Sequence, residues 1–125
     1  MPPEGSEVPM LLPAMLLVKG GPSNGAIIPL PPGQSIMGRA PQCAVMWDDA
    51  SVSRQHASIR TDSHGYTITD LGSMNGTFVN GKSIEKESRR LRHMDRIQLG
   101  GAGSVVTWVF MESQATVSLP SIQGA

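Results

Sequence analysis

Residues 71–81 read Leu71-Gly72-Ser73-Met74-Asn75-Gly76-Thr77-Phe78-Val79-Asn80-Gly81, a polar loop, a short β-type run and a turn in immediate succession. Asn80-Gly81 is a two-residue hairpin signal, because both central positions of a type I′ turn need positive φ. Similar short runs lie outward on both sides, at 15–19, 26–29, 34–38, 44–46, 56–61, 66–70, 77–79, 96–99 and 105–111. They are broken by Gly, Pro, Asn and Asp, with a further turn at Pro22-Ser23-Asn24-Gly25. Tyr66-Thr67-Ile68-Thr69 alternates large and small side chains, as a strand with one buried face does. No helical period is sustained over three turns. Many short strands with regular turns predict an all-β sandwich or barrel. In such a fold the rigid sheets carry function on their loops.

Composition bounds the alternatives. The 125 residues suit one domain, and a core of that size needs no covalent staple. Residues 1–13 are rich in Pro and small residues, and 112–125 in Ser, Gln and Gly. Both read as flexible tails around an ordered domain at 14–111. Cys43 is the single cysteine, so no intramolecular disulfide forms, and the default location is cytoplasmic. Ten Lys and Arg balance ten Asp and Glu, which argues against a general nucleic-acid coat. No apolar run reaches the roughly 18 residues of a membrane-spanning helix, and Pro9 and Pro13 interrupt the apolar stretch at 8–18.

Three loop segments stand out: Gly38-Arg39, Ser53-Arg54-Gln55-His56, and Ser73-Met74-Asn75-Gly76-Thr77 leading into Asn80-Gly81. Each alone is commonplace. In this order they resemble the forkhead-associated (FHA) family, over roughly residues 15–110. The resemblance implies a sandwich of two twisted, mainly antiparallel sheets with about 11 short strands, binding loops at one end, and a ligand that is a phosphothreonine-containing protein or peptide.

The chemistry of the segments suits that ligand. A phosphate near neutral pH carries more than one negative charge and three strong acceptor oxygens. Arg39 offers a permanently charged fork of donors, Ser53 a hydroxyl, Arg54 a second cation, and backbone N–H groups complete a shell. Each charge-assisted bond contributes about 1.5–3 kcal/mol, and after ordering costs a few of them give micromolar affinity, about −8 kcal/mol.

The resemblance implies individual roles. Arg39, Ser53 and Arg54 hold the phosphate and the peptide beside it. Asn75 bonds the peptide backbone. Ser73 and Gly76 belong to the same phosphopeptide-binding set, Gly76 through a turn with positive φ. Gly38 permits close backbone approach, and His56 supports the site by bonding neighbouring loops and holding Ser53. A pocket for the γ-methyl favours phosphothreonine over phosphoserine. The loop holding Asp48, Asp49, Ser51 and Val52 is expected to read the residue three after the phosphothreonine. Met74 departs from the family's usual Ser or Thr, so this loop lacks one hydroxyl.

Other readings are weaker. A hydrolase built on Ser53, His56 and Asp70 lacks a Gly-x-Ser-x-Gly elbow. Arg89, Arg90, Arg92, His93 and Arg96 could make a nucleic-acid patch, but Glu85 and Glu87 offset it. The competing role within the fold is a scaffold making phosphate-independent protein contacts. The expectation is therefore a non-enzymatic module with no catalytic residues, no metal, no cofactor, and no nucleic acid, membrane or small-molecule substrate as partner.

Overall fold

The structure, a computed structural model, describes residues 7–9, 14–85, 87–100, 106–112 and 116–118. Its strands are β1 (Glu7–Pro9), β2 (Ala14–Lys19), β3 (Ile27–Leu30), β4 (Gln34–Gly38), β5 (Val45–Met46), β6 (Ala57–Asp62), β7 (Gly65–Asp70), β8 (Thr77–Val79), β9 (Lys82–Ser83), β10 (Ser88–Arg90), β11 (Arg96–Leu99), β12 (Thr107–Met111) and β13 (Thr116–Ser118). One sheet has the order β10-β7-β6-β4-β5 and the other β3-β2-β12-β11-β8-β9. These two sheets make the expected sandwich of 11 strands. All their pairs are antiparallel except β4 with β5.

Alternation along the strands builds the core. In β2 the residues Ala14, Leu16 and Val18 are buried while Met15 and Leu17 are half-buried. Met37, Ile59 and Ile68 from one sheet and Leu16, Ile97 and Phe110 from the other join a single apolar cluster. Burying each such side chain contributes about 1.5–3 kcal/mol. Tyr66 ties the layers together. Its ring meets Phe110 edge-on at 5.4 Å and 60°, worth about 0.5–1.5 kcal/mol beyond area. Its hydroxyl donates to the Leu30 carbonyl and accepts from the Ala14 N–H, so the buried oxygen is paired.

The Asn80-Gly81 hairpin forms as its sequence predicts, with φ of 52° and 82° joining β8 to β9. The short edge pieces differ from the sequence reading. β9 and β10 lie in segments that read as loop, because their side chains are largely exposed and carry no apolar alternation. Backbone pairing alone places β10, through Ser88 opposite Thr69 and Arg90 opposite Thr67. Within the two segments expected to be loose tails, β1 and β13 pair antiparallel, with Val8 opposite Val117. No helix among the described residues is long and apolar enough to cross a membrane.

Candidate functional site

Gly38 ends β4 where the 53–54 backbone passes directly over it. The Arg39 N–H donates to the Ser53 carbonyl at 3.0 Å and the Ala40 N–H to the Arg54 carbonyl at 3.2 Å. A Cβ on Gly38 would collide with the Arg54 carbonyl and stand 3.0 Å from the Ser53 oxygen. Only glycine allows this approach. The Arg39 side chain leaves the strand end half-buried, its Nε donating to the Val52 carbonyl at 3.0 Å. One of the five guanidinium N–H donors is thereby fixed, which orients the others. The Arg54 side chain is exposed.

His56 is 0 % exposed. Its Nδ1 accepts from the Ser53 N–H at 2.9 Å, so Nδ1 carries the lone pair and Nε2 the proton. Nε2 then donates to the Gly76 carbonyl at 2.7 Å. The ring thus bonds the Ser53 loop to the 71–76 loop. The Ser53 hydroxyl accepts from the Met74 N–H at 3.1 Å, which leaves its own proton to donate elsewhere. These bonds do not make a hydrolytic triad. Neither ring nitrogen meets the Ser53 hydroxyl, and the Asp70 carboxylate is bound to its own loop.

That loop is organised by Asp70. Its Oδ2 accepts the N–H groups of Gly72 and Ser73, each at 3.0 Å, and its Oδ1 accepts the hydroxyls of Ser73 at 2.5 Å and Thr77 at 2.7 Å. Partial burial pushes the carboxyl up, but the hydrogen bonds from Ser73, Thr77 and Gly72 outweigh it and hold the group below its ordinary value of 3.8. Ser73 passes the connection on, accepting from the Gly76 N–H at 3.0 Å. Its proton is committed to Asp70, so Ser73 shapes the loop from within. Gly76 has φ of 88°, the left-handed conformation that its turn requires.

Asn75 is exposed, with its Nδ2 donating to the Ser51 carbonyl at 2.8 Å. This bond leaves Oδ1 as an acceptor at the loop surface. Ser51 is itself held by Asp49, whose Oδ1 accepts the Ser51 hydroxyl and N–H. The Ser51 hydroxyl bond, and then the backbone one, lower the Asp49 pKa. Gly100 closes the arrangement from β11. Its N–H donates to the Gly76 carbonyl at 3.0 Å, and a Cβ there would lie 2.7 Å from the Ser51 hydroxyl.

The structure therefore gathers Gly38, Arg39, Ser53, Arg54, His56, Ser73, Asn75 and Gly76 in bonded loops at one end of the sandwich. Sequence reading missed the parts played by Asp70, Ser51 and Gly100. Asp70 had a usable signal, since an Asp two residues before a Gly commonly accepts that N–H in an Asx turn. The bonds to Ser51 and Gly100 join residues far apart in sequence and carry no local signal. Of the basic cluster, Arg90 bonds the His64 carbonyl and lies 3.9 Å from Asp62. Among the described residues no group of three or more His, Cys, Asp or Glu is placed to hold a metal.

A sandwich of this topology with these loops defines a class. The FHA domain profile matches residues 35–100, and the chain belongs to that family. Among curated relatives it is 40% identical over 98 residues to an oxoglutarate dehydrogenase inhibitor of Corynebacterium jeikeium, covering 78% of this chain and 62% of that protein. It is 37% identical over 87 residues to the glycogen accumulation regulator GarA of Mycobacterium tuberculosis, covering 70% of this chain and 52% of GarA. The chain thus spans between half and two-thirds of those relatives. A solved domain described for phosphothreonine-dependent FHA interactions is 28% identical, with a TM-score of 0.72 over 83% of this chain and 100% of that one.

Proposed function

We propose that this chain is a phosphothreonine-binding module that mediates phosphorylation-dependent protein–protein contacts and turns over no substrate. The observation that carries the reading is the convergence of Arg39, Ser53, Arg54 and Asn75 on loops locked together by His56. Two cations face a dianion, the Ser53 proton is available to a phosphate oxygen, and Asn75 Oδ1 can accept a peptide N–H. Arg39 and Ser53 are each held by a bond to loop backbone before any ligand arrives, which reduces the ordering cost of binding. Ser73 and Gly76 act by fixing the loop. The FHA relative described for phosphothreonine-dependent interactions supports this ligand, and relatives named as an inhibitor and a regulator support binding over catalysis. The binding unit is residues 14–111, acting in the cytoplasm, where Cys43 stays reduced.

The test is calorimetric titration with one peptide in three forms: phosphothreonine, phosphoserine and unphosphorylated threonine. The phosphothreonine form binds at micromolar concentration and the unphosphorylated form does not. Loss of the γ-methyl weakens binding about fourfold or more, since one buried methyl is worth about 0.8 kcal/mol. Equal affinity for the phosphorylated and unphosphorylated forms would instead establish a phosphate-independent scaffold.

A further inference from the structure

A groove of about 660 Å³ runs beside the 71–76 loop. Met74, Asn75 and Gly76 line it, so it is continuous with the proposed phosphothreonine site. Its other wall is Phe78, Ser83 and Glu85. Ser83 stands opposite Phe78 in the β8–β9 register and shares its face. The loop backbone lies against the Phe78 ring, for a Cβ on Gly76 would sit 3.3 Å from two ring carbons. Met74 is 88% exposed over this groove. An exposed Met74 and a half-buried Phe78 thus stand together at the edge of a charged site.

The groove's charge is opposite to that of the phosphate cradle. Asp70 also lines it, but four donors already occupy that carboxylate. Glu85 is placed by a bond from its N–H to the Ser83 hydroxyl at 3.2 Å, and its carboxylate has no hydrogen bond or ion pair among the described residues. Lys82 stands opposite Val79 in the register, on the other face of the hairpin from Phe78. An exposed thioether, a half-buried ring and a carboxylate lining one groove match a long aliphatic side chain ending in a cation.

We propose that this groove receives a lysine or arginine side chain of the phosphopeptide, its methylenes over Met74 and Phe78 and its charge at Glu85. The inference rests on the phosphothreonine reading and refines it. The selected ligand carries a dianion and, near it, one basic residue. Met74, where the family usually has Ser or Thr, becomes part of the discriminating surface.

Fluorescence anisotropy on the full chain tests this. A phosphothreonine peptide carries lysine, norleucine or glutamate at each flanking position in turn. At one position lysine binds about five- to tenfold tighter than glutamate, with norleucine between them, as an exposed ion pair with stem contacts allows. Glu85→Gln brings lysine level with norleucine. Glu85→Lys reverses the lysine and glutamate order. Both variants keep the wild-type preference for phosphorylated over unphosphorylated peptide and, since Glu85 is exposed, its melting temperature. An unchanged ranking in Glu85→Lys, or lysine no better than norleucine in the wild type, overturns the groove assignment and leaves the phosphothreonine reading standing. Absence of phosphate dependence in every peptide overturns that reading and the groove's occupant together.

Discussion

Replacing His56 by alanine removes a ring that is 0 % exposed and bridges two loops. The Ser53 N–H loses its partner at 2.9 Å, and the Gly76 carbonyl loses one of two donors. An unpaired buried donor costs about 1–3 kcal/mol. The Gly76 oxygen still receives the Gly100 N–H, so its cost lies at the low end. The vacated ring volume adds about 1 kcal/mol in lost packing. The sum is about 3 kcal/mol, a fall in Tm of roughly 12 °C at about 4 °C per kcal/mol for a domain of this size. Differential scanning calorimetry of wild type and His56→Ala measures it, with a phosphopeptide titration below both transitions. Binding should weaken only as far as Ser53 drifts. A Tm within about 2 °C of wild type, accompanied by loss of binding, would refute the reasoning, because the ring would then act on the ligand and not on the loops.

Arg39→Ala should abolish detectable phosphopeptide binding, at least about thirtyfold, while the fold persists; retention of affinity within about threefold in a calorimetric titration would move the phosphate elsewhere. Gly38→Ala should lower stability by about 1–3 kcal/mol and weaken binding at the same time, because the new Cβ displaces the Arg54 carbonyl; unchanged urea unfolding would contradict the close approach. Asp70 has its folded-state pKa below 3.8. Its stabilisation is therefore complete above that ordinary value and lost as pH falls through the lower folded one. Wild type should lead Asp70→Asn in stability at neutral pH and lose that lead in acid below pH 3.8, as read by urea midpoints across the pH series.

The major strands were legible because burial imposes alternation. β7 shows it in Tyr66 and Ile68, and β2 in Leu16 and Val18. β10 and the β1–β13 ribbon were not legible, since backbone pairing by itself leaves no mark on side-chain choice. The proposed site was legible through Gly38-Arg39, Ser53-Arg54, His56 and Asn75-Gly76, which the fold brings onto neighbouring loops. Their order matched a known pattern, and Arg39, Ser53, Arg54 and Asn75 offer chemistry that a phosphate or peptide needs. The supports were hidden. Ser51 acts through its carbonyl and Gly100 through its N–H, groups that every such residue possesses, and only the fold decides where they point. The resemblance puts Ser73 in the phosphopeptide-binding set without a stated contact, and the geometry gives its proton to Asp70.

The Gly76 carbonyl receives both the His56 ring and the Gly100 N–H, so a single oxygen joins the loops after β5, β7 and β11. Such a junction limits how specificity can be moved between relatives. A 71–76 loop transplanted alone would bring a carbonyl positioned for another chain's histidine and glycine, and the mismatch would spread to Ser53 and Ser51. The smallest portable unit is therefore residues 51–56, 70–77 and 100 taken together, and within that unit the effects of single substitutions will not add.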